Sequence, residues 1–123
     1  MNEISKKIEI LTCHCKEVEI ELKLDKGIEE MARCNCSLCK RRGYIMANIK
    51  LENLKIIKGK NKLTIYKFGK KKLAEHFFCK ICGIYTHHRS YTNPNNYEYN
   101  VACIDDIDTF KFKDIQVYDG EKL

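Results

Sequence analysis

A chain of 123 residues has room for one domain around one modest core, and 44% apolar with 33% charged residues is a folded rather than a disordered balance. The longest apolar runs are about four residues, as at Tyr44 to Ala47, against the ~20 needed to span a bilayer. The start MNEISKK has no apolar stretch behind its charges, so a membrane protein, a secreted precursor and a multidomain enzyme are not expected.

The apolar pattern has mainly a period of two. Val18, Ile20, Leu22 and Leu24 alternate with Glu17, Glu19, Glu21 and Lys23, which predicts a half-buried strand ended by the turn Asp25-Lys26-Gly27. Tyr44–Ile49 reads as a strand and Leu51–Leu54 as a helical turn. Leu63–Phe68, Leu73–Phe78 and Ile84–His88 read as further strands. Tyr97, Tyr99, Val101 and Cys103 alternate with Glu98, Asn100 and Ala102 in the same way. Phe110 and Phe112 begin a last strand, and the change of phase to Ile115 and Val117 predicts a bulge near Asp114. No segment supports a long amphipathic helix, and no repeat or linker divides the chain. A mostly β, small antiparallel single domain over residues 1–123 is expected.

All but Cys103 of the eight cysteines fall into clusters: Cys13 and Cys15; Cys34, Cys36 and Cys39; Cys79 and Cys82. Without a visible export signal the setting is expected to be cytoplasmic and reducing, where thiols stay free or bind metal. A disulfide across one intervening residue is strained, which also favours metal. The formal charge of +6 counts every cysteine as neutral. Zinc binds thiolates, so two such sites bring the working charge to about +3, an ordinary value for a small domain. The basic runs Lys40-Arg41-Arg42 and Lys70-Lys71-Lys72 read as solvated faces with few interleaved aromatics, so nucleic acid is not the expected partner.

On a strand, residues i and i+2 share a face, which would present Cys13 and Cys15 side by side. Cys79-Lys80-Ile81-Cys82-Gly83 is a zinc-knuckle pattern, in which glycine can take the positive φ that turns backbone N–H groups toward the sulfurs. The two pairs make a closed four-thiolate set, the composition of a structural zinc site that staples the fold. A redox C-x-x-C would need a βαβ context, which is missing here. Cys34, Cys36 and Cys39 make a three-thiolate set. Three protein ligands and one open position are what a catalytic zinc requires; equally, Cys103, His76, His87 or His88 could close the set.

The order C-x-C, C-x-C-x-x-C, C-x-x-C-G, with the runs FFCKICGIYTHHRS and YEYNVACIDDID, resembles the glutathione-dependent formaldehyde-activating enzyme family, which also includes centromere protein V. The resemblance covers about residues 8–110. It implies a β-tent fold, a structural zinc at Cys13, Cys15, Cys79 and Cys82, and a catalytic zinc at Cys34, Cys36 and Cys39. The implied activity is that of a carbon–sulfur lyase forming or cleaving S-(hydroxymethyl)glutathione, with glutathione as co-substrate and a small thiol and an aldehyde as partners.

That chemistry needs an ionised thiol to attack the aldehyde carbon and a proton carrier for the resulting hydroxyl. His87 and His88 face opposite ways on a strand, so at most one serves a given site; His88 is the candidate. Arg42 and Arg89 are candidates to hold the carboxylates of the thiol. Cys103 reads as a buried apolar residue and His14 as an exposed strand residue. The competing class is a non-enzymatic zinc-stapled module that binds an acidic protein or nucleic acid. The fourth position at the Cys34–Cys39 set separates the two. Oligomeric state, the physiological thiol and the aldehyde are not legible.

Overall fold

The alternation around Ile20 and Leu22 is realised as the middle strand of a three-stranded sheet. The structure, a computed structural model, describes residues 7–68, 70–89 and 93–119; residues 1–6, which hold most of MNEISKK, and Ser90 lie outside the described residues. In chain order the strands are β1 (Ile8–Thr12), β2 (Glu19–Lys23), β3 (Ala32–Cys34), β4 (Met46–Lys50), β5 (Leu54–Lys58), β6 (Leu63–Phe68), β7 (Ala74–Cys79), β8 (Tyr85–Arg89), β9 (Asn96–Asn100) and β10 (Gln116–Tyr118). One short helix, α1 (Ser37–Arg42), follows β3. The small sheet has the order β1-β2-β5, and the large sheet the order β10-β3-β4-β9-β8-β7-β6.

The period-two pattern gives each sheet one apolar face toward the other. Leu11, Val18, Ile20 and Leu22 meet Ala47, Ile49 and Tyr99 of the large sheet in the main core, which also takes in Cys13 and Cys79. Burial of each large aliphatic side chain is worth about 1.5–3 kcal/mol. A second cluster, of Ala32, Cys39, Tyr44, Met46 and Tyr85, holds α1 against the large sheet. Met46 belongs to this cluster and its neighbour Ala47 to the main core, so the two clusters lie on opposite faces of β4. Gly59 (φ 81) sits where an added Cβ would meet the Glu17 carbonyl oxygen at 2.0 Å, so the β5–β6 turn closes against the β1–β2 turn only with glycine.

Most of the expected strands are present, and β6 coincides with its predicted span. The helical turn is there as a 3₁₀ turn over Leu51–Asn53. Three differences have physical causes. The strand expected through Cys103 stops at Asn100, whose side chain accepts from the Ala102 N–H at 3.2 Å and starts a 3₁₀ turn over Val101–Cys103. Phe110 does not begin a strand: Asp108 accepts from its N–H at 3.0 Å, opens a second 3₁₀ turn, and leaves the ring 97% exposed. The bulge expected near Asp114 is absent because no strand precedes it: Asp114 turns the chain in a bend with φ 58°, and β10, which follows it, pairs with β3 in parallel rather than antiparallel. Among the described residues, no helix is long and apolar enough to cross a membrane.

Candidate metal centres and active site

The four-cysteine set is built from two turns. Cys13 and Cys15 lie just beyond β1 in the turn to β2, not on a strand as expected. The Lys16 N–H donates to the Cys13 carbonyl at 3.2 Å and Lys16 takes φ 68, which folds the two sulfurs together to 3.6 Å. Cys79 ends β7, and the Gly83 N–H closes the knuckle on its carbonyl at 2.8 Å. Val18 donates its N–H to the Cys13 sulfur and Ile81 to the Cys79 sulfur, each at 3.4 Å. Cys15 and Cys79 approach to 3.7 Å, and all four sulfurs lie within 4.8 Å of one another. Zinc–sulfur bonds of about 2.3 Å at tetrahedral angles place sulfurs about 3.8 Å apart, so this set fits zinc.

Four thiolates so close cannot all be charged without a cation. The Glu17 N–H favours the Cys15 thiolate, but burial and the thiols of Cys13, Cys79 and Cys82 outweigh it and push Cys15 up to about 12. Burial pushes Cys82 up, yet the N–H groups of Cys15 and Ile84, with the neighbouring thiols, bring it down to about 6. A bound cation stabilises all four thiolates together.

The second set is organised by α1. Cys34 ends β3, Cys36 caps the helix, and Cys39 lies inside it. The Cys39 N–H donates to the Cys36 sulfur at 3.3 Å, and the Cys36 N–H to the Cys34 sulfur at 3.5 Å. Burial pushes the Cys34 and Cys39 thiols up; at Cys36 it is outweighed by hydrogen bonds from Cys39 and Cys34, and the thiol comes down. The three sulfurs lie within 4.8 Å of one another, and among the described residues no histidine, cysteine or carboxylate makes a fourth. Its donors are the soft thiolates that suit zinc.

The four side chains that could have closed this set are engaged elsewhere. Cys103 is buried in the main core, as expected, and contacts the Tyr85 carbonyl at 3.6 Å. His87 stacks on Phe77 with centroids 4.4 Å apart and meets the Thr86 hydroxyl at 2.8 Å. His76 stacks on His88 at 4.8 Å, and burial, then the His88 ring and Arg42, push it down to about 3, so it is neutral. His88 lies behind a tyrosine rather than against the sulfurs.

That tyrosine is Tyr44. Its hydroxyl stands 3.7 Å from the Cys39 sulfur, 3.0 Å from the Tyr85 hydroxyl and 2.9 Å from His88 Nδ1. Tyr85 also hydrogen-bonds His88 Nδ1, and His88 Nε2 meets Glu98 Oε1 at 3.0 Å. Burial holds both phenols well above their ordinary range. Arg42, at the end of α1, lays its guanidinium 4.1 Å over the Tyr85 ring and places Nη1 2.9 Å from His76 Nδ1. Arg89 follows His88, is turned to the other face of β8 by strand alternation, and donates Nε to the Pro94 carbonyl at 2.8 Å. His14 is exposed, in the turn between the cysteines.

The cysteine spacing marked both sets. Tyr44, Tyr85, Glu98 and the contact of His76 with Arg42 carried no such signal. Strict alternation would pair Tyr85 with His87. Instead Phe78 registers with Tyr85 while Phe77 registers with His87, so Thr86 is an extra residue that brings Tyr85 and His88 to one face.

Two packed sheets carrying one closed four-thiol set and one open three-thiol set define a small β domain with two candidate thiolate metal centres. A model of the family described as glutathione-dependent formaldehyde-activating enzyme matches residues 10–120. The chain is also similar to a crystal structure of a Rhodobacter sphaeroides protein, with 41% identity and a TM-score of 0.83, covering 89% of this chain and 99% of that one. The chain belongs to the glutathione-dependent formaldehyde-activating enzyme family.

Proposed function

We propose that the protein is a zinc-dependent carbon–sulfur lyase that forms and cleaves S-(hydroxymethyl)glutathione or a related thiol–aldehyde adduct. The observation that carries this is the three-cysteine set with no fourth ligand among the described residues, beside buried hydrogen-bonding groups. Zinc held by Cys34, Cys36 and Cys39 would stabilise a substrate sulfur as thiolate. Cys13, Cys15, Cys79 and Cys82 would hold a second zinc that staples the turns.

The chain's own residues supply orientation and proton handling. Arg42 is held flat by Tyr85 and neutral His76, with one nitrogen engaged and other donors left for a carboxylate of the thiol. Arg42 is better placed for this than Arg89, which is on the other face of β8. His88, one hydrogen bond behind Tyr44, is the candidate proton holder.

A binding module that works through its basic loops gains nothing from this arrangement. Arg42 is turned onto Tyr85, and Arg41 donates to the Ser37 carbonyl at 2.8 Å. The test is two-dimensional exchange spectroscopy on glutathione and formaldehyde at equilibrium, with and without zinc-loaded protein. Faster interconversion of glutathione and its hydroxymethyl adduct is expected; a rate equal to buffer overturns the proposal.

A further inference from the structure

An adduct hydroxyl at the open cysteine set has to lose its proton as the carbon–sulfur bond breaks, and His88 does not reach the set itself. The Tyr44 hydroxyl does, at 3.7 Å from the Cys39 sulfur, and it is bonded to His88 Nδ1 at 2.9 Å. Behind His88, Nε2 meets a carboxylate oxygen of Glu98 at 3.0 Å, with the two side chains only 7% and 15% exposed. An ionised carboxylate is an acceptor only, so it calls for the proton on Nε2 and leaves the Nδ1 lone pair toward the two tyrosine hydroxyls. These groups come from four separate places: the loop after α1, β8, β9 and, through the Tyr85 ring, Arg42.

We propose that Tyr44, His88 and Glu98 form a proton relay serving the open cysteine set, with Glu98 as its positioning residue; this rests on the lyase reading. In the cleavage direction, Tyr44 takes the hydroxyl proton of the adduct while its own proton passes to His88 Nδ1. The O–H pair becomes the second carbon–oxygen bond of the aldehyde, and the carbon–sulfur pair leaves with sulfur as thiolate. The imidazolium stands against the Glu98 carboxylate until it returns the proton, through Tyr44, to the thiolate or to water. Formation runs the same steps backwards, and no electron is gained or lost. Tyr44 exchanges one O–H for another and never needs to ionise.

Besides Glu98, the ionisable groups in direct contact with His88 among the described residues are neutral. Tyr44 and Tyr85 face it as neutral hydroxyls, His76 is stacked on it as a neutral ring, and the Arg42 guanidinium lies over Tyr85 and against His76. Burial, with the charges of Glu98 and Glu30, pushes the phenol of Tyr118, from β10, up. Glu98 is thus the anion that meets the imidazole directly.

The test uses the zinc-loaded full chain, with kcat and KM read from exchange rate against adduct concentration. Tyr44→Phe keeps the ring in its cluster and Glu98→Gln keeps the side-chain shape. Each is expected to lower kcat by about 100-fold or more with KM and zinc content unchanged, on the ~10²–10⁴-fold scale of general acid–base assistance. The double variant is expected to be no slower than the slower single one, because members of one relay are lost together. Losses that multiply, or variants as fast as an active wild type, overturn the relay alone. A wild type no faster than buffer overturns the lyase reading and the relay with it. Nitrogen-15 spectra of the His88 ring add a readout without turnover: the neutral ring is expected to carry its proton on Nε2, and a proton on Nδ1 overturns the relay.

Discussion

The sulfurs of Cys15 and Cys79 lie 3.7 Å apart although 64 positions separate them in the chain. One ion held there would join the β1–β2 turn to the β7–β8 turn and so tie the small sheet to the large one. Structural zinc is worth on the order of 10 kcal/mol, as much as the whole net stability of a small domain. Cys79→Ser is therefore expected to yield insoluble or non-cooperatively melting protein. A soluble Cys79→Ser chain with a sharp thermal transition would show that the staple is not structural.

The two sets are expected to differ in lability. Freshly reduced protein should carry close to two zinc ions per chain, one for each cluster. Under mild chelation the ion at Cys34, Cys36 and Cys39 should leave first, since three protein ligands hold it where the other set offers four. Metal analysis during a chelator titration reads this directly. Loss of both ions in one step, or a content of one or none at the start, would contradict the two-centre account.

Much of the candidate site was legible because thiol chemistry is unambiguous and cysteine spacing is local. The strands were legible where one face is buried, as at Ile20 and Leu22. What escaped depends on contacts between distant segments. The spacing of Cys13 and Cys15 predicts strand neighbours, yet a turn with Lys16 at positive φ brings them together. The helix α1 is six residues long, too short to show a helical period. The parallel pairing of β10 with β3 joins segments far apart in the chain that no local pattern relates. The meeting of Tyr85 with His88 depends on the bulge at Thr86, which reverses the alternation a regular strand would impose.

Arg42 and Arg89 make a matched pair of controls. Arg42→Leu is expected to raise KM for the glutathione adduct about tenfold, the scale of one charge-assisted hydrogen bond, and to leave a thiol without carboxylates unaffected. Arg89→Leu should change KM little, because its Nε is held by Pro94 on the other face of β8. Equal effects from the two substitutions would contradict the assignment of the carboxylate to Arg42.

His87 is expected to make the fold acid-sensitive. Burial, with the His88 ring nearby, pushes it from 6.5 down to about 3. Between those values the unfolded chain binds a proton that the folded chain does not. This contribution to stability is therefore fully present above 6.5 and is lost progressively as pH falls toward 3. The expected slope is up to about 1.4 kcal/mol per pH unit. His87→Phe, which keeps a ring against Phe77, should reduce the slope by this amount and leave the share of His76, which is pushed down to about 3 as well; urea unfolding of both proteins across this range checks it. Parallel pH dependences would show that His87 titrates alike in both states.

The central claim is that the open cysteine set performs the chemistry. Its most direct test is the equilibrium exchange of glutathione with its hydroxymethyl adduct, compared among wild type, Cys36→Ala and buffer. Cys36→Ala removes the helix-capping ligand of the open set and leaves the four-cysteine staple in place, so the fold should persist. Two thiolates hold zinc too weakly, and an unassisted substrate thiol stays mostly protonated at neutral pH. The uncatalysed reaction of formaldehyde with thiols is itself fast, which makes the buffer rate the necessary baseline. Wild type is expected to exchange faster than buffer and folded Cys36→Ala to match buffer. Wild type and Cys36→Ala that both match buffer would contradict the account.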